Sequence, residues 1–454
     1  MKRTALNDLI QWSNQPERKP LVLRGARQVG KSYLVRQLAT EKKLDLIEVN
    51  LEKQKLRELE NRESFSMDKV LAEIVLVTKK RFSPNTLLFI DEIQAQPLAI
   101  GSLRYFYEEM PDLRVICAGS LLEVLLQKEK FSMPVGRVRY YYLGPMTFFE
   151  FLIASDETVL CEQLKQVEIN QNIGKSLHQL ASDWLKIYYY VGGMPQVVQE
   201  FIETRDYSAA RRIQDEIIQT YKDDIPKYAS ETVQNILDVF SYVPANLGKK
   251  VTFSHVSERH SSSVKNSINL LARAGIIYKT LYNTCSGLPL QAGAHPDILK
   301  LYFLDLGLYN AMLDTSWHDL MYLAPEDLLT RGNQAEQFVA QHMVFRNPQK
   351  EVSPLFYWLR EGKKGNAEVD FVTSNGGVIY PIEVKAGQSG SMRSLWQFVL
   401  EHKTKKAIRF DMALRNHLIE NVVHKIQTKD QTVEVKCQLV CLPLYLAERL
   451  TDFL

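Results

Sequence analysis

"RGARQVGKSYLV", residues 24–35, decides the fold of the first third of the chain. Gly25 is followed by four residues and then by Gly30-Lys31-Ser32, which is the spacing of a phosphate-binding loop. The run "KPLVLRG" before it predicts a short buried strand, and "KSYLVRQLAT" after it predicts a helix. Strand, loop and helix follow in the order that a phosphate-binding loop requires. An ordinary glycine loop in an α/β domain is the alternative.

The same loop predicts which residues bind a nucleoside triphosphate. Inward-pointing backbone N–H groups and the positive end of a helix dipole both favour phosphate oxygens. Lys31 would reach the β- and γ-phosphates, and Ser32 would ligate Mg²⁺. Tyr33 would either stack on the nucleotide or simply pack. The predicted nucleotide-binding residues are Gly25, Ala26, Arg27, Gln28, Val29, Gly30, Lys31, Ser32 and Tyr33.

Two further stretches predict strands that end at the same edge of the sheet. "TLLFIDEIQ", residues 86–94, is a continuous apolar run of the kind found in strands covered on both faces. Asp91 at its end fits a Mg²⁺ ligand, and Glu92 fits a base that polarises the attacking water. The alternative is a capping pair before a turn. "LRVICAGS", residues 113–120, ends in Ser120, which would either sense the γ-phosphate or cap a helix.

The composition is that of a globular protein with two to four domains. The chain has 454 residues, 45% hydrophobic and 24% charged, and a net charge of +3, which permits nucleic-acid binding without arguing for it. Its five scattered cysteines predict a reducing compartment. No apolar run approaches the length of a membrane span. We therefore expect a cytoplasmic protein with no membrane partner.

Residues 229–290 predict a winged-helix-like unit, with helix, turn, helix and then a strand. The segment 262–273 would be the recognition helix, and Lys265, Asn266 and Asn269 would face a groove of DNA. The alternative is that this unit packs against another protein domain. A DNA partner and a protein partner therefore both remain open.

The stretch "NAEVDFVTSNGGVIYPIEVKAG", residues 366–387, predicts a hairpin that turns at Asn375-Gly376. A turn symmetric about this pair makes the paired residue numbers sum to about 751. The charged residues of the hairpin would then share one face, and the apolar residues would share the other. The first set is Glu368, Asp370, Glu383 and Lys385, and the second is Val369, Phe371, Ile382 and Val384.

Three acids on one strand face repel one another unless a cation compensates them. A hard metal ion such as Mg²⁺ could do so with Lys385 beside it, where Lys385 would steady a developing charge. The alternative is a solvated face on an edge hairpin.

Together these motifs resemble bacterial and archaeal AAA-type ATPases that are fused to a C-terminal domain of unknown function with a PD-(D/E)xK restriction-endonuclease-like core. The resemblance covers nearly the whole chain. It rests on "GARQVGKS", "LLFIDEIQ", "VICAGS", "VGR", "YYYVGGMP", "LYFLDLGL", "GNQAEQFV", "EVDFV" and "PIEVKAG".

The resemblance implies an α/β protein with four parts. These are an AAA-type phosphate-loop ATPase core, a helical lid, a winged-helix-like middle and a nuclease-like α/β domain, at residues 1–153, 154–228, 229–290 and 291–454. It implies that ATP and Mg²⁺ are the cofactors. It also implies that Glu336, Asp370 and Glu383 hold a second metal and that Lys385 lies beside them.

The resemblance leaves the activity of the C-terminal domain open. The first hypothesis is an ATPase coupled to a nucleic-acid-acting, nuclease-like domain. The second is an ATP-dependent switch or scaffold that binds DNA or protein without cleaving, and the third is a regulator that uses only the winged helix.

AAA-type sites are usually completed by an arginine from a neighbouring subunit, so a homo-oligomer is expected. Arg137 in "PVGRVRYYY" is the candidate and Arg139 the alternative. Both could instead pair with acids of their own fold.

Overall fold

The computed structural model describes most of the chain with its side chains. The described residues are 1–60, 66–119, 134–228, 233–257, 261–322, 332–348, 354–361, 366–385, 392–427 and 431–454. In this part of the chain no helix combines the length and the apolar composition that a bilayer span requires. All five cysteines are free and buried.

The N-terminal part contains a parallel five-stranded sheet in the order β2-β3-β4-β1-β5. Its strands are β1 Leu21–Arg24, β2 Asp45–Asn50, β3 Thr86–Asp91, β4 Arg114–Ala118 and β5 Arg139–Tyr142. The helices are α1 Ala5–Ser13, α2 Lys31–Glu41, α3 Met67–Thr78 and α4 Pro97–Glu109. The predicted parallel α/β sheet is thus confirmed, and all its strands end at one edge.

Strand β3 shows why this sheet forms. Leu87 and Phe89 lie in one hydrophobic cluster, and Leu88 and Ile90 lie in another on the opposite face. Successive side chains of a strand point to opposite faces, so a continuous apolar run fits only a strand covered on both sides. The prediction for "TLLFID" is confirmed, and Asp91 is placed at the carboxyl edge.

Five helices follow the sheet, and the last four of them lie in the region predicted as a lid, residues 154–228. They are α5 Phe148–Ala154, α6 Thr158–Gln166, α7 Lys175–Val191, α8 Pro195–Thr204 and α9 Tyr207–Tyr228. The motif "YYYVGGMP" is the break between α7 and α8, where Pro195 occupies the first turn of the new helix.

The described residues between 233 and 303 form three helices followed by two strands, the second of which lies beyond the predicted boundary at residue 290. These elements are α10 Val233–Ala245, α11 Phe253–Val256, α12 Ser261–Arg273, β6 Ile277–Asn283 and β7 Ala294–Phe303. Helix α12 coincides with the predicted recognition helix to within a residue. The winged-helix assignment itself stays a prediction.

The remaining strands build an eight-stranded sheet in the order β12-β13-β11-β10-β9-β8-β6-β7. They are β8 Leu355–Arg360, β9 Ala367–Asn375, β10 Val378–Val384, β11 Lys406–Asp411, β12 Ile419–Gln427 and β13 Thr432–Pro443. The helices of this region are α13 Leu306–Met312, α14 Trp317–Met321, α15 Gly332–Val344 and α16 Arg393–His402.

This sheet crosses the boundary that the sequence predicted after residue 290. Strand β6 pairs in parallel with β8, where Thr280 and Tyr282 oppose Leu355 and Tyr357. The strand predicted as part of a separate winged helix, β6, is therefore continuous with the C-terminal sheet, because backbone hydrogen bonds join it to β8.

The predicted hairpin is present, but its register differs by two residues. Val378 opposes Asn375, so the turn consists of Gly376 and Gly377, and the paired numbers sum to 753. Both glycines have positive φ, +56° and +79°, as a two-residue hairpin turn of this kind requires. The turn moves because a second glycine follows the first. A shift of two residues preserves which residues share a face.

One of the predicted apolar residues lies on the other side. Phe371, Ile382 and Val384 belong to one core cluster, but Val369 belongs to another. The cause is a β-bulge in β9, since Phe356 opposes Val372 whereas Trp358 opposes Val369. Two residues of β9, one of them Asp370, therefore face a single residue of β8.

A buried carboxylate joins the lid to the C-terminal part of the chain. Asp305, which caps α13, has no exposed surface. It accepts hydrogen bonds from the N–H groups of Gly193 at 2.7 Å and Leu308 at 3.1 Å, and from Gln341 Nε2 at 3.4 Å. Burial raises the pKa of Asp305 to about 6. Three motifs that are distant in sequence, "YYYVGGMP", "LYFLDLGL" and "GNQAEQFVAQ", thus meet at one side chain.

We expect Asp305→Ala to destabilise the protein by about 3 kcal/mol, because two buried N–H groups and the cap of a helix lose their acceptor. Thermal unfolding followed by intrinsic fluorescence measures the effect. The matched control is Glu216→Ala on the exposed face of α9, which should leave the unfolding temperature unchanged. Equal unfolding temperatures for the two variants would contradict this role of Asp305.

Candidate functional site

The loop between β1 and α2 has the conformation that its glycines permit. Gly25 has φ +142°, and a Cβ atom there would lie 2.1 Å from the carbonyl oxygen of Leu143. Gly30 has φ +94° and precedes the first residue of α2. Side chains are strained or excluded at both positions. The loop therefore places the amino end of α2 at the carboxyl edge of the sheet, as the sequence predicted.

Lys31 is enclosed by its own loop. Its Nζ atom donates to the carbonyl oxygens of Gly25 at 2.9 Å and Ala26 at 2.7 Å. Burial lowers the pKa of Lys31 to about 8, and the carboxylates of Glu92 and Asp91 oppose this shift. Burial disfavours the charged form of Lys31, and a bound phosphate would stabilise that form again. This lysine is therefore suited to bind an anion.

Two hard oxygen donors lie side by side next to Lys31. The Ser32 hydroxyl donates to Asp91 Oδ2 at 2.9 Å. Burial raises the pKa of Asp91, and the bond from Ser32 partly offsets the rise. Such a pair fits a Mg²⁺ ion, which usually takes only one or two protein ligands beside substrate phosphates and water. The pair would hold Mg²⁺, whose charge would neutralise phosphate oxygens.

Glu92 has an unusual backbone conformation. Its φ is +50°, which costs energy for a residue with a side chain. Its carboxylate accepts a hydrogen bond from Gln94 Nε2, and its N–H donates to Asp91 Oδ1 at 3.0 Å. The strained turn points Glu92 into the cavity beside Asp91 instead of letting it cap the next helix.

A cavity of about 500 Å³ opens over these residues. Its other wall comes from the lid, through Pro195, Gln196 and Gln199 of α8. Tyr33 lies at the cavity with 51% of its surface exposed, so it is free of the core packing that was one of its two predicted roles. Ala26 and Val29 are buried and can offer only backbone groups. The volume is in the range of cofactor sites.

Two supports of the loop were missed by the sequence analysis. Arg3 is buried, forms an ion pair with Glu150 and donates to the carbonyl oxygen of Val29 at 3.0 Å. Arg27 forms an ion pair with Asp224 on α9, and the Tyr221 hydroxyl donates to the Arg27 carbonyl at 2.7 Å. The segment before α1 and helices α5 and α9 after the sheet thus hold the loop.

The other predicted ATPase residues are placed differently. Ser120 lies outside the described residues. Arg137 forms an exposed ion pair with Glu108, and Arg139 donates to Gln15 Oε1 at 3.1 Å. Arg139 opposes Leu21 in the sheet, whereas the loop follows Arg24, so both arginines lie at the opposite end of the strands from Lys31. Neither can contact the nucleotide cavity of its own subunit.

The C-terminal site brings the predicted charged residues together in one buried cluster. Lys385 forms an ion pair with Glu383, and Asp370 Oδ2 accepts from the N–H of Val384 at 2.8 Å. Glu336 Oε2 accepts from the Tyr302 hydroxyl at 2.7 Å. One carboxylate oxygen of Glu383 is buried without a hydrogen-bond partner. These predicted residues thus place three carboxyl groups beside the amine of Lys385.

Lys300 is a member of this cluster that the sequence analysis missed. It comes from β7 and is only 1% exposed. Its Nζ atom forms an ion pair with Glu368 and lies 3.8 Å from Glu336 Oε2. It is one polar residue in the apolar run "ILKLYF", and this interruption was the available signal. A buried lysine seldom lacks a carboxylate partner.

Burial and mutual repulsion raise the pKa values of the acids in the cluster. The pKa of Glu336 is raised to about 7 and that of Glu383 to about 8, first by burial and then by Asp370. The pKa of Asp370 is raised as well, again first by burial, and Lys300 and Lys385 oppose that rise. Such shifts are common at functional sites but also occur in structural ion-pair networks.

The described residues do not form the predicted metal centre in this arrangement. Among them, no group of three or more His, Cys, Asp and Glu side chains is placed to hold a metal ion. The amines of Lys300 and Lys385 supply the positive charge beside these carboxyl groups. We therefore assign no metal-dependent reaction to this arrangement. Glu336, Asp370 and Glu383 remain ligands only by proposal.

The predicted recognition helix is partly engaged within the chain. Lys265 forms an ion pair with Asp297 at 2.8 Å, and Asn269 accepts from Lys279 at 2.9 Å. Of the three predicted groove-facing residues, Asn266 is the most exposed. DNA contact by this helix stays a prediction.

Comparison with known families supports the AAA-type ATPase part. Residues 17–152 match the family model described as AAA domain. Residues 182–319 and 331–438 match two models that are described as domains of unknown function, DUF8612 and DUF4143. No curated protein matches the sequence.

Several solved structures share a remote likeness with the chain. The Orc1 protein of Aeropyrum pernix, solved in complex with DNA, is 13% identical, with 68% of this chain and 91% of that chain covered and a TM-score of 0.28. The RuvB Holliday junction branch migration motor of Thermotoga maritima is 12% identical, with coverages of 62% and 90% and a TM-score of 0.30. PCH-2 of C. elegans is 13% identical, with coverages of 43% and 56% and a TM-score of 0.24.

The raised pKa of Glu383 predicts a pH-dependent stability. The folded protein protonates Glu383 below about pH 8, whereas the unfolded chain does so only near the ordinary value of 4.5. The burial of Glu383 therefore costs stability in full above pH 8, and this cost is relieved progressively as the pH falls from 8 towards 4.5. From pH 9 to pH 6, wild type should gain roughly 2–3 kcal/mol more than Glu383→Gln, because each of the two pH units below 8 is worth about 1.4 kcal/mol. Urea unfolding at both pH values measures this, and parallel pH profiles would contradict it.

Proposed function

We propose that the chain binds and hydrolyses ATP at the cavity around Lys31. The observation that carries the proposal is the convergence of Lys31, Ser32, Asp91 and Glu92 on one cavity beside the lid. A cation, two hard oxygen donors and a second carboxylate are the groups that phosphoryl transfer to water requires. The match of this region to the AAA domain model supports the same proposal.

Each residue has a separate role in this proposal. The loop N–H groups and Lys31 bind and orient the phosphates of ATP. Ser32 and Asp91 would hold Mg²⁺. Glu92 accepts a proton from the attacking water, which it can reach because its strained turn points it into the cavity. Among the described contacts, the one side-chain hydrogen-bond partner of the Glu92 carboxylate is the neutral amide of Gln94.

The lid gives the nucleotide a way to act on the rest of the chain. Helix α8 lines the cavity, and the break before it is bound to Asp305 through Gly193. We propose that closure of α8 on ATP is transmitted through this break to α13 and α15. Arg137 of a second subunit, with Arg139 as the alternative, is proposed to complete the site in a homo-oligomer, which requires the Glu108 ion pair to open.

Two substitutions separate binding from hydrolysis. Lys31→Ala should abolish ATP binding, because the phosphates lose their enclosed cation. Glu92→Gln should keep ATP binding and slow hydrolysis by roughly 10²-fold or more, because only proton acceptance is lost. Calorimetry and phosphate release measure the two effects.

The matched control is Lys69→Ala, an exposed lysine on α3, which should change neither quantity. Wild-type hydrolysis by Glu92→Gln would exclude Glu92 as the base. Wild-type ATP affinity in Lys31→Ala would exclude the site altogether.

A second candidate function belongs to the buried cluster of Glu336, Glu368, Asp370, Glu383 and Lys385. The observation that favours it is a carboxylate oxygen of Glu383 that is buried without a hydrogen-bond partner. The two neighbouring acids, Glu336 and Asp370, also have raised pKa values. We propose that the C-terminal domain is nuclease-like and acts on nucleic acid when Lys300 leaves the cluster. If Lys300 stays in place, the domain binds DNA or protein without cleaving, as a switch or scaffold.

Lys300→Met tests whether the lysine blocks a cation site. The substitution removes one positive charge and leaves a side chain of similar length, so four acids face only Lys385. Mn²⁺ should then bind more tightly than to wild type, and it should raise the unfolding temperature of the variant more. Both are measured on the full chain, since a fragment that begins at residue 291 lacks β6, which pairs with β7 on one side and with β8 on the other.

Asp370→Asn in the Lys300→Met background is the control and should remove the added Mn²⁺ binding. Both proteins are then incubated with plasmid, single-stranded DNA and RNA in the presence of Mn²⁺, and cleavage of the nucleic acid is measured. Equal Mn²⁺ affinity of wild type and Lys300→Met would leave the cluster as a structural ion network and favour the scaffold.

A further inference from the structure

A second cavity lies on the other side of the phosphate-binding loop, where three parts of the chain meet. This junction cavity has a volume of about 390 Å³. Arg24 and Tyr142 line it from the ATPase sheet, Arg273 from the end of α12, Lys279 from β6 and Phe345 from the residue after α15. None of its residues has been assigned to ATP chemistry beyond the loop backbone itself.

The junction cavity is positively charged. Among the described residues, its lining includes Arg24, Arg273 and Lys279 and no Asp or Glu. The Arg24 guanidinium lies 4.2 Å from the ring centre of Tyr140 and donates to the Tyr142 hydroxyl at 3.0 Å. The amine of Lys279 donates to the neutral amide oxygen of Asn269 at 2.9 Å. Burial lowers the pKa of Lys279, and the like charge of Arg273 adds to this.

Aromatic rings provide the rest of the wall. Tyr142, Tyr278 and Phe345 line the cavity, and the rings of Tyr278 and Phe345 meet edge to face at 5.8 Å. Cations beside aromatic faces are the combination that recognises a molecule carrying both a phosphate and a planar ring. A volume near 400 Å³ is at the lower end of ligand sites and suits a small molecule.

We infer that the junction cavity binds a phosphorylated nucleoside, with the phosphate at Arg273 and Lys279 and the base against the aromatic wall. The ligand is either a free nucleotide or the phosphorylated end of a nucleic-acid strand, since both present the same chemistry. The inference does not depend on ATP hydrolysis at Lys31.

The position of the junction cavity couples it to the nucleotide cavity. Gly25 and Ala26 line the junction cavity, and their carbonyl oxygens accept hydrogen bonds from Lys31 on the other side. A Cβ atom on Gly275 would lie 3.3 Å from the N atom of Ala26, so the end of α12 packs directly on the loop. Any ligand that shifts this contact changes ATP affinity, and ATP must change the affinity of that ligand by the same factor.

The test uses the full chain with Lys31→Ala, so that the first nucleotide site is disabled. AMP is titrated by calorimetry into this protein and into versions that also carry Arg273→Ala, Lys279→Met or the control Arg212→Ala. We expect AMP to bind, Arg273→Ala and Lys279→Met each to weaken binding at least tenfold, and Arg212→Ala to leave it unchanged. Arg212 and Arg273 are both exposed, so neither change threatens folding.

A 5′-phosphorylated dinucleotide is titrated in parallel. Tighter binding than AMP with the same dependence on Arg273 identifies a strand end as the ligand, and weaker binding identifies a free nucleotide. The inference is overturned if AMP and the dinucleotide both fail to bind Lys31→Ala at millimolar concentration. It is also overturned if neither Arg273→Ala nor Lys279→Met weakens the binding.

Discussion

The buried carboxylate of Asp305 is the constraint on which the arrangement of the parts depends. A carboxylate without exposed surface is stable only where donors surround it, and two of its donors come from segments more than thirty residues away on either side, Gly193 and Gln341. The lid break, the start of α13 and the middle of α15 must therefore sit within hydrogen-bond reach of one another. Helix α8 after the lid break lines the nucleotide cavity, and α15 also carries Glu336 of the charged cluster, so Asp305 connects elements of both sites.

Local sequence patterns were sufficient where a strand or turn is decided by its own residues. The run "TLLFID" could only be a doubly covered strand, and the loop at Gly25 and Gly30 needed nothing from elsewhere in the chain. The hairpin was also predicted, but a bulge in β9 depends on how β8 pairs with it, and no pattern within β9 shows that. Likewise, β6 looked like the wing of a separate unit because its partner β8 lies more than seventy residues later in the sequence.

The same division applies to the sites. Lys31, Ser32, Asp91 and Glu92 were predicted because they follow strands of one parallel sheet, whose ends necessarily meet. Arg3 and the ion pair of Arg27 with Asp224 were not predicted, since an arginine that supports a loop through a distant carboxylate has no motif for that role. Lys300 was missed for a related reason. Its role depends on its ion-pair partners Glu336 and Glu368, which lie on other elements and cannot be inferred from the strand that contains Lys300.

The position of β6 inside the eight-stranded sheet has a consequence for synthesis of the chain. When residues 277–303 leave the ribosome, β6 and β7 can pair with each other, but the other edge of β6 has no partner until β8 emerges. An unpaired edge of that kind invites pairing with other chains. Long-range pairing also slows folding, because the loop between the strands must close first. The last part of this protein is therefore committed to folding late and as one unit.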